Sequence, residues 1–257
     1  GLEAAAGMAA RGIKVTVVHN ETHLMNRQLD APAGALLRAD LEARGITVLC
    51  GANSSSIEAG KDGRVRALVL ADGTELPCDL LVMAVGIRPC VGVAKAAGLN
   101  VSKGVVVDDQ MLTSDPNIYA LGECVEHKGA LFGLVAPLYD QAEVLAKTLC
   151  AQEAVFTPKQ LSTKLKVTGC DLFSAGDFAE ADDRQSIVFH DVTRAVYKRL
   201  VIKDNRLIGA VIYGDTADGA WFYKHITDGT DIASMRDQLI FGPAFETDLS
   251  QLPMSAI

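Results

Sequence analysis

The sequence predicts an α/β chain that opens on parallel βαβ units and closes on an antiparallel α+β domain. Three observations predict it. Helical and strand periodicities alternate over the first fifty residues. Ala, Val, Leu and Gly are plentiful while aromatics make up only 5%, a balance suited to helices packed closely on a sheet. Past Pro158, strand-like runs follow one another through short turns.

The elements follow in order. Residues 2–11 read as an Ala-rich helix stopped by Gly12. Residues 13–18 alternate as a strand. Residues 33–44 form a second helix, with Leu37 and Leu41 one turn apart and Gly45 at its stop, and residues 46–49 a second buried strand. Asp62-Gly63 and Asp72-Gly73 are turn dipeptides flanking 64–70, which reads as an antiparallel meander with Val65, Ala67 and Val69 on one face. Residues 79–85 read as a buried strand ending at Gly86. A short helix at 92–97, a strand at 104–108, a short buried strand at 118–121 stopped by Gly122, and a helix from Pro137 to about residue 151 follow. Phe156-Thr157-Pro158 reads as a linker. Beyond it, 164–168, 172–175, 186–190, 195–202 and 207–213 are strand candidates, and 216–226 and 232–238 are helix candidates.

Bulk properties narrow the class. The chain has 257 residues, 49% hydrophobic and 22% charged, ample for a buried core. A formal net charge of −8 argues against a nucleic-acid or membrane-surface partner. No apolar run reaches the roughly 18 residues of a membrane span, and no basic-then-apolar leader opens the chain. The six cysteines are scattered with no C-x-x-C pair, which reads as free thiols in a reducing cytoplasm.

Four stretches can carry chemistry. Gly1-Leu2-Glu3 opens a helix whose N-terminus suits a pyrophosphate; Gly1 corresponds to the last glycine of a G-x-G-x-x-G loop, and any glycine before an Ala-rich helix is the plain alternative. His19 stands at a strand tip where such a unit places an acid for ribose hydroxyls. A neutral histidine can bond a hydroxyl and a cationic one can pair with a 2′-phosphate, so NADH and NADPH both stay open beside a plain surface histidine. Gly86-Ile87-Arg88-Pro89 gives a sharp, stiffened exit from a strand, or an ordinary turn. Gly122-Glu123 ends a strand with an acid that can accept from a sugar-like hydroxyl, or is a solvated loop acid. Cys124 reads as a structural thiol, and His127 as a solvated loop histidine rather than a proton relay. Cys170 near Asp171 and His190 has no ordering third partner that a nucleophile site requires.

The order of these stretches resembles the pyridine-nucleotide flavoprotein reductases, over roughly residues 1–150. In that family an NAD(P)H domain is inserted into an FAD domain. The resemblance implies that Gly1 and Glu3 lie by the nicotinamide cofactor. It implies that Gly86, Ile87, Arg88 and Pro89 mark the return to the FAD domain, and that Gly122 and Glu123, the latter a glutamate variant of the usual aspartate, meet the flavin ribityl chain. The helix from Pro137 would direct its N-terminus at the flavin ring. The stretches 23–30 (HLMNRQLD), 120–127 (ALGECVEH), 167–177 and 213–219 further resemble the large subunits of assimilatory, NAD(P)H-dependent, sirohaem-type nitrite reductases.

That resemblance implies an NAD(P)H-binding domain at 1–75 without its first strand and glycines, the C-terminal half of an FAD domain at 76–155, an α+β interface domain at 160–243 and a tail at 244–257. It implies an NAD(P)H-dependent oxidoreductase with FAD, in which hydride passes from the nicotinamide to FAD and electrons pass to downstream iron–sulfur and sirohaem centres that reduce nitrite to ammonium. Those centres are expected only beyond the chain, which is expected to be a fragment, inactive and weak in FAD binding by itself. A homodimer is allowed. The alternatives are a rubredoxin or ferredoxin reductase, and a cofactor-free interaction or dimerisation module.

Overall fold

A computed structural model describes residues 1–158, 162–167 and 169–245. The chain folds as two compact units, Gly1–Met83 with Gln160–Ile257, and Ala84–Lys159.

In the first unit, helix α1 (Leu2–Ala9), strand β1 (Thr16–Val18), helix α2 (Ala31–Ala43) and strand β2 (Thr47–Leu49) follow in order. β1 and β2 are parallel, with Val17 opposite Val48, as the alternation predicts. Gly12 and Gly45 both take positive φ after their helices, a conformation glycine adopts without strain. The start of α2 is fixed by Asp30, whose Oδ1 accepts the Ala33 N–H at 3.2 Å, with proline in the first turn. Strands β3 (Ser54–Ala59), β4 (Val65–Leu70) and β5 (Glu75–Pro77) make the predicted antiparallel meander. Ala67, Leu68 and Leu70 are buried, so both faces of β4 are partly covered.

The same unit contains a five-stranded antiparallel sheet in the order β11-β12-β13-β10-β9. Its strands are β9 (Ser162–Val167), β10 (Cys170–Gly176), β11 (Gln185–Asp191), β12 (Val196–Lys203) and β13 (Arg206–Tyr213). β12 and β13 are buried on both faces. Phe173, Leu200, Ala210 and Ile212 pack against Phe222 and Ile226 of helix α5 (Gly219–Asp228). On the opposite face, Leu172, Tyr197, Val211 and Tyr213 join Leu37, Leu41 and Val48 in one core. The period of two in each strand sorts these residues between the two cores.

In the second unit, helix α3 (Gly92–Ala96) leads to β6 (Val105–Val107), β7 (Val125–His127), β8 (Ala130–Leu131) and helix α4 (Val135–Leu149). β6 and β7 are parallel, and β7 and β8 antiparallel. Val107, Met111, Val125, Phe132 and Phe156 form the core, with Leu138, Val144 and Leu145 of α4 against it.

Several sequence expectations are corrected. Residues 79–85 are not a buried strand: Leu80, Val82, Met83 and Val85 are 50–84% exposed. A continuous apolar run is buried only where other strands flank it, and no strand among the described residues pairs with this one. Residues 118–121 form only an isolated Leu112–Tyr119 bridge, with Ile118 and Leu121 exposed. Phe156 is not linker; it is 2% exposed, and its N–H donates to the Asp109 carbonyl at 2.7 Å. The predicted helix at 216–226 begins only at Gly219, because Asp215 draws the Ala217 N–H into a local turn. The predicted helix at 232–238 is a run of turns, opened by Asp231 accepting the Ala233 N–H at 2.9 Å. Helix α4 starts at Val135, placing Pro137 third in its first turn.

Candidate cofactor-binding site

In the first unit, the predicted nucleotide-facing residues lie at the ends of α1 and β1. Gly1 is the exposed N-cap of α1, with no side-chain cap, and Glu3 lies in the first turn. The unsatisfied amides of that turn give the helix a partly positive end. His19 follows β1 directly. Its N–H donates to the Leu49 carbonyl at 2.8 Å, and its own carbonyl accepts the Ala52 N–H at 3.0 Å. The backbone is therefore held in register with β2, while the ring Nε2 is buried without a hydrogen-bond partner. An orphaned nitrogen at the carboxyl end of a parallel strand fits a sugar hydroxyl or phosphate oxygen. A groove of about 470 Å³ runs elsewhere, between Glu3, Ala6 and Ala9 of α1 and Arg44 and Ile46. Glu3 reaches it; His19 does not line it.

The 23–30 stretch builds a scaffold. His23 Nε2 bonds the Leu29 carbonyl at 3.0 Å, and Leu24 and Leu29 are buried. A Cβ on Gly34 would come within 2.7 Å of the His23 ring, so α2 sits directly against this turn. Asp30 also reaches the antiparallel sheet: its Oδ2 accepts from Tyr197 Oη at 2.7 Å and Arg199 Nη1 at 3.3 Å. Arg199 Nε in turn donates to Ser186 Oγ at 3.1 Å. This clamp fixes α2, and hence the β1–α2–β2 unit, to β12. Nearby, Cys170 Sγ donates to Asp40 Oδ2 at 2.8 Å, and burial, then Asp40, pushes the thiol up from its ordinary range. That geometry suits a protonated structural thiol and not a nucleophile.

In the second unit, two of the predicted segments, 86–89 and 122–123, approach α4, the helix that carries Pro137. Its N-cap, Leu134, makes no side-chain cap bond, its first turn has no acid, and Pro137 brings no N–H. The amides of Val135 and Ala136 thus present an uncapped positive end suited to an anion. Beside it, a Cβ on Gly133 would lie 3.6 Å from Ile87 Cδ1, which places the 86–89 turn at the approach to the helix. Gly86 takes φ +84, Ile87 and Arg88 are exposed, and Pro89 is half-buried. One turn further along α4, Gln141 Oε1 accepts the Gly122 N–H at 2.8 Å. Gly122 adopts φ +99, and Glu123 follows it exposed.

The sequence missed the supports of this loop. Glu126 is buried, and its Oε2 accepts the N–H groups of Lys103 at 2.7 Å and Gly104 at 3.0 Å. These bonds, Gly104 first, hold its carboxyl below the usual range. His127 is not a solvated loop histidine. It is 1% exposed in β7, its Nε2 meets Asp109 Oδ1 at 2.7 Å, and its ring lies edge-on to Phe156 at 5.1 Å. Gln141 carries no motif at all; an apolar helix face with one polar residue was the only available signal.

Residues 1–151 match the family model of the pyridine nucleotide-disulphide oxidoreductases, and residues 162–230 that of the rubredoxin NAD+ reductase C-terminal domain. The chain belongs to the pyridine nucleotide-disulphide oxidoreductase family. More particularly, it is 44% identical over 244 residues to the NAD(P)H nitrite reductase of Bacillus subtilis (strain 168), a match covering 95% of this chain and 30% of that relative. It thus spans under a third of that relative's length. Among solved structures, it resembles a ferredoxin reductase from Rhodopseudomonas palustris at 31% identity and a TM-score of 0.73, covering 86% of this chain and 55% of the other. It also resembles an FAD-dependent pyridine nucleotide-disulphide oxidoreductase from Desulfovibrio vulgaris at 25% identity and a TM-score of 0.76, covering 93% and 64%.

Proposed function

We propose that the chain is the electron-entry part of an NAD(P)H-dependent nitrite reductase. The carrying observation is the convergence, within 84–159, of the uncapped start of α4, the Ile87–Gly133 approach and the Gly122–Glu123 turn. Glu123 would accept from the ribityl hydroxyls of FAD, and the α4 amides would face the negative charge of its reduced ring. The orphaned His19 Nε2, with Gly1 and Glu3 at the start of α1, would hold the nicotinamide nucleotide. FAD held there would supply the two-electron to one-electron exchange, and this chain's residues would orient and shield it rather than act as acid or base.

The nitrite-reducing role is supported by identity that continues from the family region through the antiparallel sheet, across 95% of the chain. Iron–sulfur and sirohaem centres belong to the proposed whole protein; among the described residues no cluster of His, Cys, Asp and Glu is arranged to hold a metal ion. Cytoplasmic residence is supported by six free cysteines. No described helix is long and apolar enough to cross a membrane. A homodimer is part of the same proposal, checked by sedimentation.

The test uses the whole gene product. It should carry flavin absorbance and oxidise NAD(P)H when nitrite is supplied. Flavin-free protein with no NAD(P)H oxidation would refute the reading and favour a cofactor-free interaction module. A second reading, a reductase serving a separate carrier, is favoured by the rubredoxin-reductase match at 162–230. NAD(P)H oxidation that needs added ferredoxin or rubredoxin and ignores nitrite would select it.

A further inference from the structure

The function just proposed gives Gln141 no contact with a cofactor, yet it is the fully buried polar side chain of α4. Its carboxamide has one acceptor oxygen and one NH2 donor. The Gly122 N–H can only donate, so the oxygen must face it, as the 2.8 Å bond shows. The Nε2 is then left buried without a hydrogen-bond partner. An unpaired buried donor costs more than an average hydrogen bond contributes, and a leucine of similar volume would avoid that cost. The oxygen is therefore the part of Gln141 that the fold uses.

What the oxygen holds is a turn only glycine adopts readily. Gly122 sits at φ +99, and the residue after it is Glu123. Without an anchor, a glycine at this point is free to leave the left-handed region and swing Glu123 with it. The same device holds the next stretch of chain, where buried Glu126 accepts the Lys103 and Gly104 amides.

We propose that Gln141 is a positioning residue for FAD: through the Gly122 amide it fixes the turn that presents Glu123 to the flavin. The proposal rests on the reading of Glu123 as a flavin contact. It acts through the backbone and requires no contact between Gln141 and the cofactor.

The experiment strips FAD from the whole gene product and titrates FAD back, following the quenching of flavin fluorescence. Gln141→Leu keeps volume and loses the acceptor, and its affinity should fall about tenfold, the effect of one lost hydrogen bond at the upper end of its range. Gln141→Glu keeps an oxygen acceptor and should stay within about threefold of wild type. If Gln141→Leu does not fold, Gln141→Asn, which withdraws the oxygen by one methylene, takes its place. A merely structural glutamine would instead lower the melting temperature of the apoprotein and leave FAD affinity unchanged; that result overturns the proposal. Glu123→Ala separates the two levels. If it weakens FAD binding while Gln141→Leu and Gln141→Asn do not, the flavin reading stands and the positioning role is refuted. If wild type itself takes up no FAD, the flavin reading fails and this proposal falls with it.

Discussion

Replacing Asp30 with alanine removes three interactions from one side chain. The carboxylate caps α2 through the Ala33 N–H, accepts from Tyr197 Oη and faces Arg199 Nη1. Side-chain exposure is 10% for Asp30 and 9% for Arg199, so water cannot replace the lost partner. Loss of an N-cap costs about 1 kcal/mol. Breaking a buried pair by deleting one member costs about 3–5 kcal/mol, because the other charge stays buried. These contributions overlap, so Asp30→Ala should destabilise the first unit by about 3–5 kcal/mol. Asp30→Asn keeps the cap and an acceptor for Tyr197, and should lose clearly less. Urea unfolding followed by the fluorescence of Trp221, the one tryptophan, reads this unit directly. A double-mutant cycle with Arg199→Met should give a coupling of about 1–3 kcal/mol. A loss below about 1 kcal/mol in Asp30→Ala, with no coupling to Arg199, would refute the clamp.

Three further outcomes follow from the geometry. Cys170, buried and donating to Asp40, should resist iodoacetamide, while exposed Cys90 and Cys150 alkylate first; peptide mass spectrometry gives the order, and early labelling of Cys170 in folded protein would contradict its assignment. Asp183 is held down to about 2 by hydrogen bonds from Lys203 and Arg184. Its folded value lies below its unfolded one, so its contribution is present above the ordinary value of 3.8 and lost as pH falls toward 2. The urea midpoints of wild type and Asp183→Asn should therefore converge across that window and stay parallel above it. Phe156→Ala should destabilise the second unit by about 3–5 kcal/mol, seen as a lower thermal midpoint, whereas a linker phenylalanine would change it little.

Much of the fold was legible because its signals are local. Asp62-Gly63 and Asp72-Gly73 announce the meander, and the strand-like runs at 195–202 and 207–213, joined by a short turn, announce β12 and β13. Gly12 and Gly45 mark the helix stops because positive φ is a property of one residue. Residues 79–85 and 118–121 misled because an apolar run specifies burial only together with strands that flank it. Phe156 looked like a linker beside Pro158, since its partners Phe132 and His127 lie far back in the chain. Of the candidate site, the glycines and acids were visible by type and order. Their supports were not: Gln141 meets Gly122 across 19 residues, Glu126 meets Gly104 across 22, and Tyr197 meets Asp30 across 167. No periodicity encodes pairings at such separations.

The Asp30–Tyr197 bond has a consequence for how the protein is made. It closes a span of 167 residues, and the core it belongs to joins Leu37, Leu41 and Val48 to Leu172, Val211 and Tyr213. At about 5–20 residues per second, a ribosome needs roughly 8–30 s to supply the second half of that core after the first has emerged. Throughout that interval Leu37 and Leu41 of α2 lack their partners Leu172, Val211 and Tyr213, while the Phe156-centred cluster draws only on residues within 84–159. The unit at 84–159, contiguous in sequence, can therefore fold before the unit split between 1–83 and the antiparallel sheet, an order that makes the β1–α2–β2 segment the one most dependent on chaperone cover.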